Sequence, residues 1–547
     1  MGMLALKRLM SSRQRERRRR RRLQTRERRK YVFILRVTIY DGCVADGSFT
    51  SISKSDDSLL CREDDNSLLC GKRLRDSGPD LPEDIWCNIL SLMPIEDSAR
   101  SACVSHAFER SWRCHPNLIF TEDTLSMIRN ACRKGDRASA FASKVDQIIK
   151  KHSGSVKILE LDMFRCKDLN ICHLNSWLKI AITPGIEKLT LCLPLKYKEG
   201  WYTFPCSLLS SQSGSSLQYL WLKHCVFRPT VGLSFLRNLT TLYLGRVCIT
   251  EGELGCLLSH SLALQQLELW YCSEIICLRI PLVLERLKCL SVTSCGVLQM
   301  VESEAPNLSS FMFYGSPVQL SLGQSLQVKK LNMECVDGSD FLHYAITKLP
   351  YVVPNVEDLV LSSYGERLNT PMTAAKFLHL KHLVIYFDGD SSPGYDYFSL
   401  VSFLDASPAL KTFILGVQQD DMNFDSISVD ALHMRQRPDH KHKSLKKVTI
   451  LGFCSAKSMV ELVCHILENA TSLECIILDT IFDAEDNYML GRCSVTSDRN
   501  PGDCFPTTSQ VMFEADRGLM AIERYIVGKV PSTVKLDVRE PCTRCHI

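Results

Sequence analysis

At 547 residues the chain is long enough for several domains at the usual size of about 150 residues each. Hydrophobic residues make up 45%, so most of it can fold around a core, which excludes a wholly disordered polymer. The net charge of +5 divides into +12 over residues 1–30, where fourteen Lys and Arg meet two Glu, and −7 over the rest: a basic arm on a mildly acidic body. The 26 cysteines are scattered through apolar segments rather than clustered, so they read as reduced, buried thiols and not as a secreted disulfide scaffold. No stretch approaches the ~20 apolar residues of a membrane span. The apolar run 31–40 is broken by Arg36 and lacks a small-residue cleavage site, so no secretory signal is expected. A nuclear or cytoplasmic protein with no membrane partner is expected; an extracellular recognition protein is not.

Residues 1–78 are expected to form a disordered basic arm and linker, since like charges at the density of 13–30 repel. Arg17, Arg18, Arg19, Arg20, Arg21 and Arg22, with the second cluster Lys72, Arg73 and Arg75, suit nuclear import. No aromatic residues interleave the arginines to stack on bases, so import is the more economical reading than nucleic-acid contact.

From Leu81 to Trp112 the pattern predicts three short helices. Pro82 suits a first helical position. Ile85, Ile89 and Leu92 follow at helical spacing, with Trp86, Leu90 and Met93 widening the apolar band. Pro94 stops the first helix. Asp97 or Ser98 can cap a second and Ser105 a third, in which Phe108 and Trp112 share a face. A module this small is not expected to stand alone and should bury spare apolar surface on a partner. The Leu81-to-Ile85 opening, Ile89-Leu90, Leu92-Met93-Pro94, Val104-Ser105 and the closing Trp112 resemble an F-box, assigned to residues 79–120. The resemblance implies docking on a Skp-type adaptor of a cullin–RING ubiquitin ligase through Leu81, Pro82, Ile85, Ile89, Leu90, Leu92, Pro94, Val104 and Trp112. His106 stands where the family often has a basic residue.

Residues 121–155 are expected to be a helical bridge, with Phe141, Val145, Ile148 and Ile149 at helical spacing. Over 156–480 apolar residues at i, i+3 and i+5 recur thirteen times, from Val156-Leu159-Leu161 to Leu473-Ile476-Leu478. Central residues from Leu220 to Leu331 lie 20 to 25 apart, near the leucine-rich-repeat period, and elsewhere the spacing stretches to 35. The last two members of each triplet point the same way from one strand, and only stacked neighbours can bury them. The fold class expected is α/β: a small three-helix F-box followed by an irregular leucine-rich-repeat solenoid, repeats over 156–440, with a parallel sheet on its concave side. Cys225, Cys272 and Cys295 fall just past their strands, where a small buried side chain fits. Residues between the inward pairs face the concavity, and Trp221, Tyr243, Glu268, Trp270, Met312 and Tyr314 form the candidate substrate surface, with Lys223, Asn332 and Val384 nearby.

His440-Lys441-His442-Lys443 is expected to be a solvated turn; two histidines two apart do not make a metal site. Residues 441–547, a strand–helix–strand run with a later helix and Val534-Lys535-Leu536, resemble the FBD region of plant F-box/leucine-rich-repeat proteins. Cys542, Cys545 and His546 remain unassigned, and no catalytic motif or cofactor site is recognised. The resemblance therefore implies a non-catalytic substrate adaptor of a Skp–cullin–F-box ligase. The alternative is a nuclear leucine-rich-repeat scaffold whose basic arm contacts nucleic acid, with salt-sensitive binding.

Overall fold

Helices α1 (Glu83–Ser91), α2 (Ile95–Ser101) and α3 (His106–Arg113) open the fold. The structure is a computed structural model. It describes residues 82–101, 106–121, 137–166, 168–195, 200–209, 214–229, 236–323, 327–336, 340–364, 366, 370, 375–388, 394–418, 434–435, 441–482 and 509–541, all within one compact unit, Pro79–Ile547. Leu81, Val104 and the basic clusters at Arg17–Arg22 and Lys72–Arg75 lie outside the described residues.

Pro82 sits one place before α1 and not inside it, its carbonyl accepting from the Ile85 and Trp86 amides. Pro94 plays the same part for α2, accepting from the Ser98 amide at 2.9 Å. Asp97 and Ser98 thus fall inside the first turn of α2 and do not cap it. The Trp86 and Phe108 rings meet edge to face at 4.7 Å between α1 and α3.

Each of the thirteen triplets becomes a strand of one parallel sheet, and the repeating leucines are its register. Leu220 pairs with Leu189 and Leu242, Leu267 with Leu242 and Leu290, and Leu359 with Leu331 and Leu383. Two further strands, Asn117–Phe120 and Lys535–Arg539, close the two ends, giving fifteen in chain order. The paired apolar residues are fully buried along the whole length, in one continuous core. An all-parallel sheet needs a return element after every strand. Repeat length decides which kind. The 20-to-23-residue repeats return through short strands, Cys277–Ile280, Met300–Ser303 and Gln319–Ser321, which form a second parallel sheet. Longer repeats have room for helices: α4 (Arg137–Ile149), α5 (Ile171–Ala181), α6 (Glu251–His260), α7 (Phe341–Val352), α8 (Val401–Ala406), α9 (Lys457–Asn469) and α10 (Ser509–Tyr525). Among the described residues no helix is long and apolar enough to cross a membrane.

The turn leaving each strand of the regular block repeats as well. His224, Arg246, Tyr271 and Ser294, the first residues past four successive strands, all take left-handed backbone with φ between 50° and 61°. The next residue points inward: Cys225, Val247, Cys272 and Cys295 are buried. Cys272 donates its thiol to the Leu244 carbonyl of the preceding repeat at 3.4 Å. These cysteines are small hydrophobes with a weak donor, as their spacing implies.

Candidate functional site

Two surfaces carry the functional reading. The first lies on the F-box helices. Ile85 and Ile89 are 39% and 40% exposed, Leu92 86%, and Met93 is exposed beside them. Their spacing lays one apolar stripe along α1 and past its end. Pro82 and Pro94 flank it and are also exposed. Leu90 and Trp112, expected on this face, are instead 3% and 6% exposed. They join Ile95, Leu118 and Phe141 in the solenoid core. The correction has a simple cause: a helix this short has two apolar stripes, and the one opposite Ile85 and Ile89 is spent anchoring the module to the repeats. Met93 was noted only as widening the band, yet it belongs to the exposed stripe.

The anchor is also hydrogen-bonded. His115 accepts the Asn117 amide on Nδ1 at 3.1 Å, which leaves its proton on Nε2, 3.1 Å from the Met93 carbonyl. His152 donates to the His115 carbonyl at 2.9 Å, and the Ser153 amide donates to the Arg113 carbonyl. Burial lowers the pKa of both rings, so both act as neutral hydrogen-bonding pivots. The exposed stripe is thus held in a fixed orientation on the first strands of the sheet.

The second surface is the open face of the sheet. At its centre Thr190, Trp221, Tyr243, Glu268, Ser291, Met312 and Asn332 stand side by side in register. Trp221, Tyr243, Glu268 and Met312 are half-buried, and the Trp221 and Tyr243 rings lie 4.3 Å apart. Cations lie over the neighbouring rings. Lys188 Nζ is 4.9 Å from the Tyr219 ring, and Lys223 Nζ is 4.7 Å from Trp270 and 5.7 Å from Phe164. The Arg246 guanidinium is 4.5 Å from Tyr271 and 5.7 Å from Trp270. Trp270 and Tyr314, expected as exposed contacts, are buried. For Trp270 the reason is visible: the left-handed turns swing Arg246 and Tyr271 back over the sheet, and they cover the indole together with Lys223. Phe164, Arg246 and Tyr271 therefore belong to the surface although strand alternation alone did not place them there. The signal that could have found Arg246 and Tyr271 is the turn position between the strand and the inward Cys or Val.

The electrostatics of this face are mixed. Burial holds the Lys223 ammonium below its usual range, and it raises the Glu268 carboxyl although Gln266 donates to that group at 2.6 Å. Trp221 Nε1 and Thr190 Oγ1, neighbours in register, are buried and find no hydrogen-bond partner among the described residues. The face is suited to gripping a polypeptide by stacking and charge. Nucleophile–base pairs of hydrolytic geometry do not occur in the cation–aromatic cluster just described.

Comparison with known proteins agrees with both surfaces. Residues 79–120 match the F-box domain family. Residues 148–543 match the family described as At1g61320/AtMIF1, LRR domain, most of the chain. The F-box/FBD/LRR-repeat protein At1g13570 of Arabidopsis thaliana is 22% identical over 430 residues, 75% of this chain and 92% of that protein. The F-box/LRR-repeat protein At5g02910 of the same plant is 25% identical over 51% of this chain and 58% of its own length. The putative F-box/LRR-repeat protein At3g18150 is 25% identical over 53% and 60%. The chain belongs to the plant F-box/leucine-rich-repeat family, whose members generally serve as non-catalytic substrate adaptors of Skp–cullin–F-box ubiquitin ligases.

Proposed function

We propose that this chain is the substrate-recognition subunit of a Skp–cullin–F-box ubiquitin ligase. The stripe Ile85, Ile89, Leu92 and Met93 engages the Skp-type adaptor, and the open sheet face around Trp221, Tyr243, Lys223 and Arg246 receives a protein substrate. Transfer of ubiquitin takes place on other subunits. This chain contributes proximity, which makes the encounter of substrate and charged enzyme effectively intramolecular. The observation that carries the reading is the division of labour in α1: Leu90 is sunk in the core while Ile89, next to it, stays in water. Four large apolar side chains left in solvent on one stripe suit a partner helix. The basic clusters at Arg17–Arg22 and Lys72–Arg75 support a nuclear pool beside a cytoplasmic one.

An affinity capture compares the intact chain with Ile85→Glu/Ile89→Glu and with Trp221→Ala/Tyr243→Ala. The first variant is expected to lose the Skp-type adaptor while keeping other captured proteins, and the second to do the reverse. Loss of both sets from either variant, with its fold intact, would show that the two surfaces do not have separate partners.

A further inference from the structure

The basic segment 440–443 does not lie in solvent as its composition suggests. Its described part brings His442 into the interior, where it is buried. Three successive repeats converge there. Asp405 stands near the end of α8, His442 leads into the strand Lys447–Leu451, and His465 projects from α9. His442 Nε2 is 3.4 Å from His465 Nε2 and 3.9 Å from Asp405 Oδ1. One donor atom from each of the three lies within 4.8 Å of the other two.

The spacing of the two ring nitrogens is informative. A hydrogen bond between them would draw them to about 3 Å. Two imidazoles bound to one tetrahedral Zn²⁺ at about 2.0–2.1 Å must stand about 3.3 Å apart. The observed separation matches the second case, and a small turn of the Asp405 carboxylate completes a third ligand. Both rings are held in place. The His442 amide donates to the Asn469 carbonyl at 2.9 Å, the Phe398 ring stands edge-on to His465 at 5.9 Å, and the Asn469 side-chain amide lies 3.2 Å from His465 Nδ1. With His465 bound through Nε2, its proton moves to Nδ1 and the Asn469 amide turns its oxygen toward it, the usual support for a ligating histidine. Beside His442 and Asp405 lies a cavity of about 110 Å³, also lined by Ser407 and Ser444, with Lys441 and Lys443 at its edge. It is roomy enough for the water that would fill the remaining position, since a water occupies about 30 Å³.

We propose that Asp405, His442 and His465 bind one divalent first-row transition cation, zinc by preference. The cation ties α8, the segment before strand Lys447–Leu451 and α9 into one block. Its role is to hold three repeats of the solenoid together, and it takes no part in chemistry on a substrate. The two lysines at the cavity edge oppose a cation and keep the site weaker than a four-ligand structural zinc.

The test is a titration of the full metal-free chain with Co²⁺, followed by displacement with Zn²⁺. Expected is one equivalent with the visible spectrum of tetrahedral nitrogen and oxygen ligation, and a rise in Tm on adding Zn²⁺. His442→Gln and His465→Gln should abolish that equivalent, and Asp405→Asn should weaken it at least about tenfold. Asp405 is partly exposed, so its variant decides the matter should either histidine variant fail to fold. Binding with thiolate-to-cobalt charge transfer alone, or a nitrogen–oxygen spectrum unchanged in Asp405→Asn, would overturn the proposal, as would no binding at all.

Discussion

The two halves of the open sheet face share a backbone and differ in chemistry. In one register row the first half presents Thr190, Trp221, Tyr243, Glu268 and Met312, and the second half presents Val360, Val384, Ile414, Thr449 and Ile477. The inward rows are alike throughout, leucine or a near equivalent in nearly every strand. Folding therefore constrains the inside of both halves equally. Outside, the second half keeps residues of high strand propensity that offer a partner little beyond shape. The first half carries rings, cations and a buried acid, which offer direction and charge. Recognition is accordingly assigned to the first half and scaffolding to the second.

The strongest expected effects should not distinguish the halves. Leu242→Ala and Leu383→Ala each empty a fully buried site, and each should cost roughly 2–5 kcal/mol in denaturant unfolding. A clear excess in one half would mean that the core is not shared. Next come Gly245 and Gly416, at equivalent positions of the face, each making room for two rings. A Cβ at Gly416 would meet Tyr386 at 2.5 Å and Phe482 at 2.7 Å, and one at Gly245 would meet Tyr243 at 2.9 Å and Trp270 at 3.1 Å. Gly416→Ala should cost roughly 1–3 kcal/mol and Gly245→Ala less, while Gly245→Ala should disturb substrate capture more.

Smaller effects separate the halves by function. Trp221→Ala should reduce substrate capture about tenfold or more, whereas Val384→Thr should leave it unchanged; equal losses would erase the proposed division. The smallest concerns pH. His224 sits at the edge of the recognition half, donating from Nδ1 to the Leu193 carbonyl at 2.8 Å. Burial pushes its pKa down to about 4, so the folded state holds the ring neutral. Its contribution is complete above about pH 6.5, where the unfolded ring is also neutral, and is lost as pH falls toward 4. His224→Asn keeps the left-handed turn and a donor but cannot titrate. Thermal unfolding of that variant should fall less steeply over this window than that of the parent chain.

The repeats were legible because a solenoid writes the same burial problem thirteen times, and the i, i+3, i+5 spacing states it each time. The end strands were not, since Asn117–Phe120 and Lys535–Arg539 each lack a neighbour on one side and with it the full triplet. The kind of return element was also hidden, although repeat length turns out to govern it. At the sites, alternation told which way Trp270 and Tyr314 point from their strands but not what later turns lay over them. Helical spacing marked Leu90 and Ile89 alike, and only packing on Leu118 and Phe141 separates the anchor from the docking stripe. Asp405, His442 and His465 lie too far apart in the chain for any local spacing to unite them. What brings them together is the stacking of successive repeats.

The central claim is that the exposed stripe of α1 is the handle by which a ligase holds this chain. It is tested most directly by titrating a purified Skp-type adaptor into the full chain in a calorimeter. The account predicts one-to-one binding that Trp221→Ala leaves untouched and that Ile85→Glu/Ile89→Glu weakens by at least about 100-fold, as expected for anchor residues in an interface core. Equal affinity of the parent chain and the Ile85→Glu/Ile89→Glu variant would contradict it, as would no binding to either.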